Sequence, residues 1–330
     1  MKPTDVKKAI RVAMAAKQPI FIWGAPGVGK SSVVKQIAEE DGLELIDLRA
    51  VLLDAVDFGF PYVDTKAKKP TTYWATPSFL PTKGKGILFI DELPQAAPMV
   101  QNSLSQLILD KKLRDYYTLP EGWQIVAAGN RDKDRAATNR MPSHMANRFV
   151  HLDFEVDHED FIRWAIDNGV RTEIIMFLKF RPELLHNFDP TRNEKAFPTP
   201  RSWEFVSKLM DANPPNEVLY DMIKGTVGEG AAAEFCGFLA IFKKLPSPDR
   251  ILADPEHADV PTDSSVLAAL CSALSRKTSL NTVDRLVKYA KRIPAEFSVL
   301  MVELCRRQEP EIVSTRSYID WESALAKVRV

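Results

Sequence analysis

The stretch that most constrains this chain is Gly24-Ala25-Pro26-Gly27-Val28-Gly29-Lys30-Ser31. It follows a short apolar run, Ile20-Phe21-Ile22-Trp23, and opens a helical pattern. The spacing is that of the G-x-x-x-x-G-K-[ST] phosphate loop in its strand–loop–helix setting. Glycines let successive backbone N–H groups wrap a polyphosphate, and the helix adds the positive end of its dipole. The stretch therefore predicts a phosphate site rather than a plain glycine-rich turn with a surface lysine.

The loop also predicts which groups meet the ligand. Lys30 is expected to reach the β- and γ-phosphates, and the Ser31 hydroxyl is expected to ligate Mg²⁺. The predicted nucleotide-binding residues are Gly24, Ala25, Pro26, Gly27, Val28, Gly29, Lys30, Ser31 and Ser32.

Two adjacent carboxylates end a second apolar run. Residues 87–90 are Ile-Leu-Phe-Ile, and Asp91 and Glu92 follow them. In a parallel sheet this is the carboxyl edge, where ligands bind. We expect Asp91 to hold Mg²⁺ and Glu92 to orient and polarise the attacking water. Strand ends often carry acids, so the pair gains its meaning from the phosphate loop upstream.

Asn130 closely follows the next predicted strand, residues 123–128. The amide of Asn130 can hydrogen-bond both a γ-phosphate and the attacking water. The alternative is a turn, because Gly-Asn is a common turn pair.

Two arginines are candidates for phosphate contacts. Arg148 precedes the last predicted strand, residues 149–154, and its guanidinium can stabilise transition-state charge on a neighbouring subunit's nucleotide. The alternative for it is an arginine favoured by a helix C-terminus. Arg201 opens a helix where a cation is unfavourable for the dipole, and either reaches the γ-phosphate or is solvated. The arginines that share the connection with Arg148, and could share its role, are Arg131, Arg135 and Arg140.

Alternating strands and helices predict an α/β fold with a doubly wound parallel sheet. Residues 1–154 are the predicted αβα nucleotide-binding domain. Helical patterns alone follow, predicted as a helical lid over 155–245 and a helical C-terminal extension over 246–330. An insert over 54–82, rich in aromatics and prolines, is expected to form a hairpin.

The insert has two interpretations. Its basic and aromatic side chains, with Asp115-Tyr116-Tyr117, are candidates for gripping a polymer in a pore; a solvated hairpin that packs its own aromatics is favoured. The side chains in question are Lys66, Lys68, Lys69, Tyr73 and Trp74.

Charge limits the kinds of partner that the sequence predicts, and cysteine content limits the kinds of compartment. Lys plus Arg is 44 and Asp plus Glu is 44, and a zero net charge argues against bulk nucleic-acid coating. The 3 cysteines lie far apart, without metal or disulfide spacing, which suits a reducing cytosol. The N-terminus lacks a signal-peptide pattern, and the apolar run over 230–242 is too short for a bilayer. We therefore expect a cytoplasmic protein that does not bind membranes.

Together these motifs resemble those of the AAA+ ATPases, and within them the MoxR group, close to the dynein-related, McrB-like branch. The resemblance covers about residues 5–245. The stretches that carry it are Trp23-Gly24-Ala25-Pro26-Gly27-Val28-Gly29-Lys30-Ser31, Phe89-Ile90-Asp91-Glu92-Leu93, Ala127-Ala128-Gly129-Asn130-Arg131, Asn147-Arg148-Phe149 and Thr199-Pro200-Arg201.

The resemblance implies a P-loop NTPase with ATP and Mg²⁺ held between the subunits of a ring, usually a homo-hexamer. Arg148 then acts in trans, and Arg201 acts in cis from the lid. The residues that it places in cis around the nucleotide are Lys30, Ser31, Asp91, Glu92 and Asn130. MoxR-type ATPases commonly remodel proteins beside a partner with a von Willebrand factor A domain.

Three functions follow from the sequence. The first is an ATP-driven motor that remodels a partner protein, and the second is a nucleic-acid motor or a subunit of a restriction or defence assembly, as in the McrB-like branch. The third is a scaffold that uses hydrolysis as a timer. The lack of a basic excess favours the first. GTP stays open as the nucleotide, although the Asn-Lys-x-Asp guanine signature is absent from the sequence.

Overall fold

The structure, a computed structural model, describes residues 1–66, 69–134, 141–192, 194–243 and 247–326. The chain forms two compact units, Met1–Asp157 and His158–Val330. Among the described residues, the helices include none with the length and apolar character needed to cross a membrane.

The first unit is built on a five-stranded sheet in the order β2-β5-β8-β1-β9, with every neighbouring pair parallel. Two antiparallel hairpins, β3–β4 and β6–β7, accompany it. The strands are β1 (Ile20–Trp23), β2 (Glu44–Arg49), β3 (Phe60–Asp64), β4 (Thr71–Ala75), β5 (Lys85–Asp91), β6 (Lys112–Leu113), β7 (Tyr117–Thr118), β8 (Gly122–Gly129) and β9 (Val150–Asp153). The helices are α1 (Pro3–Ala15), α2 (Lys30–Glu40), α3 (Pro98–Asp110) and α4 (Ser143–Ala146).

This architecture confirms the predicted fold class. Strand β5 lies between β2 and β8, and its residues Ile87 to Ile90 are almost fully buried because helices cover a parallel sheet on both faces. On one face the core joins the sheet to α3, through Phe21, Leu88, Leu104 and Trp123. The Trp123 indole also donates to the Lys83 carbonyl at 3.0 Å, which fixes the entry to β5.

The insert over 54–82 contains the expected hairpin. Strands β3 and β4 pair with Tyr62 opposite Tyr73, whose rings stack with centroids 5.8 Å apart. Of the basic residues at its tip, Lys68 lies outside the described residues.

The residues 115–117 belong to the second hairpin, which packs on the insert. The Arg114 guanidinium carbon lies 3.9 Å from the centroid of the Trp74 ring, and Trp74 also stacks on Tyr116. The Tyr116 hydroxyl donates to the Phe58 carbonyl, and that of Tyr117 donates to the Pro81 carbonyl. These contacts favour the interpretation in which the hairpins pack their own aromatics.

Among its described residues, the second unit has helices and no strands. Its helices are α5 (His158–Asp167), α6 (Thr172–Phe180), α7 (Pro200–Asp211), α8 (Asn216–Val227), α9 (Glu229–Lys243), α10 (Pro248–Ala253), α11 (Ser264–Ser275), α12 (Val283–Ala290), α13 (Ala295–Gln308) and α14 (Arg316–Ala326). Helix α11 packs against α6, α9 and α13. The division into a lid and an extension after residue 245 stays a prediction, and Lys244 to Pro246 lie outside the described residues.

A buried carboxylate links the helices on either side of that predicted division. Glu173, in α6, is only 4% exposed and pairs with Arg171 and with Arg276, which directly follows α11. Burial acts to raise the pKa of Glu173, but the hydrogen bonds from both arginines outweigh it, so that this pKa is lowered. The ion pairs therefore join α6 to α11 within one packed unit.

We expect Gly86→Ala to destabilise the first unit. A Cβ at this position would lie 2.3 Å from the Glu44 carbonyl oxygen and 2.8 Å from the Trp123 ring, so backbone on β2 would have to move. The expected loss is about 1–3 kcal/mol, the usual cost of overpacking. The urea midpoint, followed by tryptophan fluorescence, measures it.

The matched control is Gly225→Ala in α8, where a Cβ meets nothing within 4 Å. Alanine is the better helix former by about 1 kcal/mol, so this change should leave stability unchanged or raised. An unchanged midpoint in Gly86→Ala would contradict the close packing of β2, β5 and β8.

Candidate nucleotide-binding site

The loop between β1 and α2 has the backbone that its glycines predict. Gly27 and Gly29 have φ values of +73° and +105°, in the left-handed region that favours glycine. Gly29 is the residue immediately before α2, and its carbonyl accepts the Val33 N–H at 3.0 Å. The first N–H groups of α2 and the positive end of its dipole therefore face the concave side of the loop.

Lys30 joins three parts of the site. It is buried, and its ammonium donates to the carbonyls of Gly24 at 2.8 Å and Ala25 at 2.9 Å and to Asn130 Oδ1 at 2.9 Å. Strands β1 and β8 are neighbours, which brings Asn130 to the loop. All three acceptors are neutral, and a phosphate oxygen is a stronger acceptor for an ammonium group.

Ser31 and Asp91 form the second contact that the sequence placed together. The Ser31 hydroxyl donates to Asp91 Oδ2 at 2.7 Å, and the Glu92 N–H donates to Asp91 Oδ1 at 2.9 Å. Hydroxyl and carboxylate oxygens are ligands suited to Mg²⁺, which is usually held by one or two carboxylates together with substrate phosphates and water. Within the described residues no group of three or more His, Cys, Asp or Glu side chains could hold a metal ion. The donor set therefore fits a magnesium ion shared with a polyphosphate.

Glu92 has an unusual backbone conformation. Its φ of +57° lies in the left-handed region, which few non-glycine residues adopt, and it directly precedes a 3₁₀ turn at Leu93–Gln95. Such strain is found at functional sites, where the surrounding structure maintains it. Here it ends β5 sharply and leaves Glu92 beside Asp91 at the carboxyl edge of the sheet.

A third carboxylate near this edge was missed by the sequence analysis. Asp47 lies on β2, two residues before Arg49, which is paired with Asp91 across the strands. Partial burial and the negative charge of Asp91 raise the pKa of Asp47, Arg49 opposes the rise, and Glu92 adds to it. The edge therefore concentrates negative charge, which a divalent cation would offset. Adjacency of β2 and β5 was the missing information.

The arginines of the connection after β8 are arranged differently from one another. Arg131 donates through its backbone N–H at 3.0 Å and through Nε at 3.1 Å to the buried carboxylate of Asp134, so its guanidinium is held within the connection. Arg135 and Arg140 lie outside the described residues.

Arg148 lies two residues beyond α4, which ends at Ala146. Its Nη1 donates to the Ser105 carbonyl at 2.7 Å and to Ser105 Oγ at 2.6 Å, so α3 holds the guanidinium. Ser105 was not predicted from the sequence, because a contact over this chain distance has no local signal.

Arg201 belongs to the second unit. It lies in the first turn of α7 and is exposed, and Thr199 caps this helix by accepting the Ser202 N–H at 3.0 Å. Its approach to a phosphate stays a prediction.

The described geometry lies in a segment that matches a known family. Residues 20–150 match the model of the ATPase family associated with various cellular activities (AAA). The predicted resemblance is thereby confirmed for this segment at the level of an AAA family domain.

Individual relatives are distant. Midasin of Giardia intestinalis is 26% identical over 175 residues, which are 50% of this chain and 4% of the length of midasin. A RuvB mutant of Thermotoga maritima is 18% identical, with 82% of each chain covered and a TM-score of 0.44. NtrX from Brucella abortus, in complex with ADP, is 13% identical, with 99% of this chain and 68% of that chain covered and a TM-score of 0.42.

We expect Lys30→Ala to abolish measurable nucleotide binding, because the buried ammonium is the loop's cationic side chain for a phosphate. Titration with a fluorescent ATP analogue and Mg²⁺ measures the dissociation constant. The matched control is Lys35→Ala on the same helix, where the side chain is 68% exposed and 3.8 Å from Glu39. The control should bind within about twofold of the wild type, since an exposed pair contributes little. Equal affinity in Lys30→Ala and the wild type would refute the site.

Proposed function

We propose that this chain is a Mg²⁺-dependent ATPase of the AAA+ class, and that it uses hydrolysis to remodel a partner protein in the manner of the MoxR group. The observation that carries the proposal is the convergence of Lys30 with Asn130 and of Ser31 with Asp91 at one end of the parallel sheet. The AAA match over residues 20–150 supports it.

The binding half of the mechanism belongs to the loop and α2. Their backbone N–H groups donate hydrogen bonds to the phosphates of ATP, and Lys30 donates to the β- and γ-phosphate oxygens. The residues that would hold Mg²⁺ are Ser31 and Asp91. When bound, this ion offsets negative charge on the phosphates.

The hydrolytic half belongs to Glu92 and Asn130. Glu92 accepts a proton from the attacking water and orients it toward the γ-phosphate. The Asn130 amide, already within 2.9 Å of Lys30 Nζ, holds the same water and a phosphate oxygen. This division leaves Asp91 to the metal and Glu92 to the water.

The contact made in trans, from a neighbouring subunit, is assigned to Arg148. Ser105 fixes Nη1 and leaves the planar guanidinium pre-oriented, which suits a group that must reach the nucleotide of a neighbouring subunit. This assignment requires a neighbouring subunit, and the resemblance to the AAA+ ATPases implies that the subunits form a ring, expected to be a homo-hexamer. Arg201 is proposed to contact the γ-phosphate from the helical part.

A protein client is favoured over nucleic acid by charge and by exposed apolar surface. The net charge is zero, whereas nucleic-acid motors gain affinity from a basic excess. The β3–β4 hairpin exposes Phe60, Tyr62 and Tyr73, which suit contacts with a polypeptide. A partner with a von Willebrand factor A domain is part of the proposal.

We expect Glu92→Gln to bind ATP with nearly wild-type affinity and to hydrolyse it about 10²–10⁴ times more slowly, because only the proton acceptor is lost. Phosphate release and nucleotide titration measure the two effects. The trapped ATP state is also suited to capture: proteins retained by Glu92→Gln in ATP, and released in ADP, identify the client.

An ATPase assay with DNA separates the protein-remodelling proposal from the nucleic-acid alternative. ATPase rates of the wild type are measured with and without single- and double-stranded DNA. An unchanged rate supports the remodelling proposal, whereas stimulation by DNA would replace it with the McrB-like alternative.

We expect Arg148→Ala to lower the ATPase rate by about 10³-fold or more if its guanidinium acts in trans. Mixed with Glu92→Gln subunits, it should regain part of the activity, because some interfaces then pair an intact Arg148 with an intact Glu92. Subunit mixing at fixed total protein measures this recovery. If assembly is intact and mixing restores nothing, the trans assignment is wrong.

A further inference from the structure

A tryptophan at the entrance to the phosphate loop is hydrogen-bonded to a histidine. Trp23 ends β1, directly before Gly24, and its indole Nε1–H donates to His151 Nδ1 at 2.9 Å. His151 lies on β9, the neighbour of β1, and the two rings stack with centroids 6.1 Å apart and planes at 20°. The last side chain before the loop is therefore fixed by the adjacent strand.

The partners of His151 determine its protonation state. Its Nε2 lies 2.8 Å from the Ala146 carbonyl oxygen, which can only accept, so Nε2 carries a hydrogen. The indole N–H can only donate, so Nδ1 carries none. The arrangement therefore requires the neutral imidazole with its proton on Nε2, and both ring nitrogens are used.

The two hydrogen bonds of His151 lead to different halves of the proposed site. Trp23 continues into the phosphate loop. Ala146 ends α4, and its carbonyl also accepts the Phe149 N–H at 3.2 Å, which closes the turn that carries Arg148. A single imidazole thus joins the entrance of the loop to the segment of Arg148.

We propose that neutral His151 is a positioning residue that holds the entrance of the phosphate loop through Trp23, and that its protonation releases Trp23 and weakens nucleotide binding. The inference rests on the proposed nucleotide site. A proton on Nδ1 would face the indole N–H, and two donors cannot form a hydrogen bond. The bond from Nε2–H to Ala146 survives protonation, so the turn of Arg148 is retained. Acid should therefore lower affinity for ATP and leave kcat at saturation free of any effect from His151.

The surroundings of the ring allow this change. His151 is exposed, so protons reach it, and Phe21 and Phe149 pack on it with centroids 5.9 Å and 6.2 Å away. Strand β1 contributes no charged residue. The titratable or charged groups on β9, on α4 with its turn and on α3 are Asp153, His144, Arg148 and Asp110.

The test compares the wild type with three variants. Trp23→Phe keeps an aromatic ring and removes the N–H, and His151→Asn offers an amide oxygen that accepts the indole N–H but does not titrate in this range. His144→Asn is the matched control, because His144 is exposed and belongs to the same segment. Each protein is titrated with a non-hydrolysable ATP analogue and Mg²⁺ at about pH 8 and about pH 6.

We expect the wild-type dissociation constant to rise between these pH values by about threefold to tenfold more than that of Trp23→Phe or His151→Asn, the effect of losing one hydrogen bond. His144→Asn should follow the wild type. Protonation of the nucleotide itself affects all four measurements equally, so it does not contribute to the differences between the proteins. Parallel profiles in the wild type, Trp23→Phe and His151→Asn would overturn the proposal, and so would a flat profile in His144→Asn.

A second measurement needs no nucleotide. The emission of Trp23 is the difference between the spectra of the wild type and Trp23→Phe, and it should change over the same pH range. In the His151→Asn background the corresponding difference should stay constant. A pH-independent Trp23 signal in the wild type would overturn the coupling and leave the ATPase proposal standing, since that proposal is tested by Lys30→Ala.

Discussion

The ammonium of Lys30 is the group on which the candidate site depends. It begins α2, and its hydrogen bonds to two loop carbonyls and to Asn130 join a helix, a loop and the end of β8 through one charge. This contact requires that β1 and β8 be adjacent and parallel, so that their carboxyl ends meet. The order of the strands therefore determines which side chains meet at the site.

The carboxylates of Asp47, Asp91 and Glu92 concentrate negative charge near the carboxyl edge of the sheet. Asp91 accepts from Ser31, Glu92 follows in a left-handed conformation, and partial burial together with the negative charges of Asp91 and Glu92 raises the pKa of Asp47. In a protein without a ligand for them, such crowding is only a cost. In the proposed function, Asp91 would hold Mg²⁺ and Glu92 would accept a proton, and strain and repulsion at this edge are expected of such a site.

The residues that surround the site show where prediction from the sequence ends. Lys30, Ser31, Asp91 and Asn130 were predicted because each follows or precedes a recognisable strand, and parallel strands bring their ends together. The partners Ser105, Asp47 and His151 were missed, since each acts through a neighbour far along the chain. Arg148 was found from its position before β9, but its contact with Ser105 was not. Tyr116 was one of the candidates for gripping a polymer, whereas the structure stacks it on Trp74 of the insert, which Arg114 also contacts.

By itself, the sequence determined the phosphate loop, the parallel α/β class and the four polar side chains Lys30, Ser31, Asp91 and Asn130, because these depend on local spacing and on a period that a strand or helix imposes. Only the tertiary structure decided which strands are neighbours, that Lys30 meets Asn130, that Ser105 holds Arg148, and that His151 lies between the Trp23 indole and the Ala146 carbonyl. The physical reason is that a hydrogen bond is set by distance and direction between atoms, and for residues far apart in the chain these exist only once the sheet has formed.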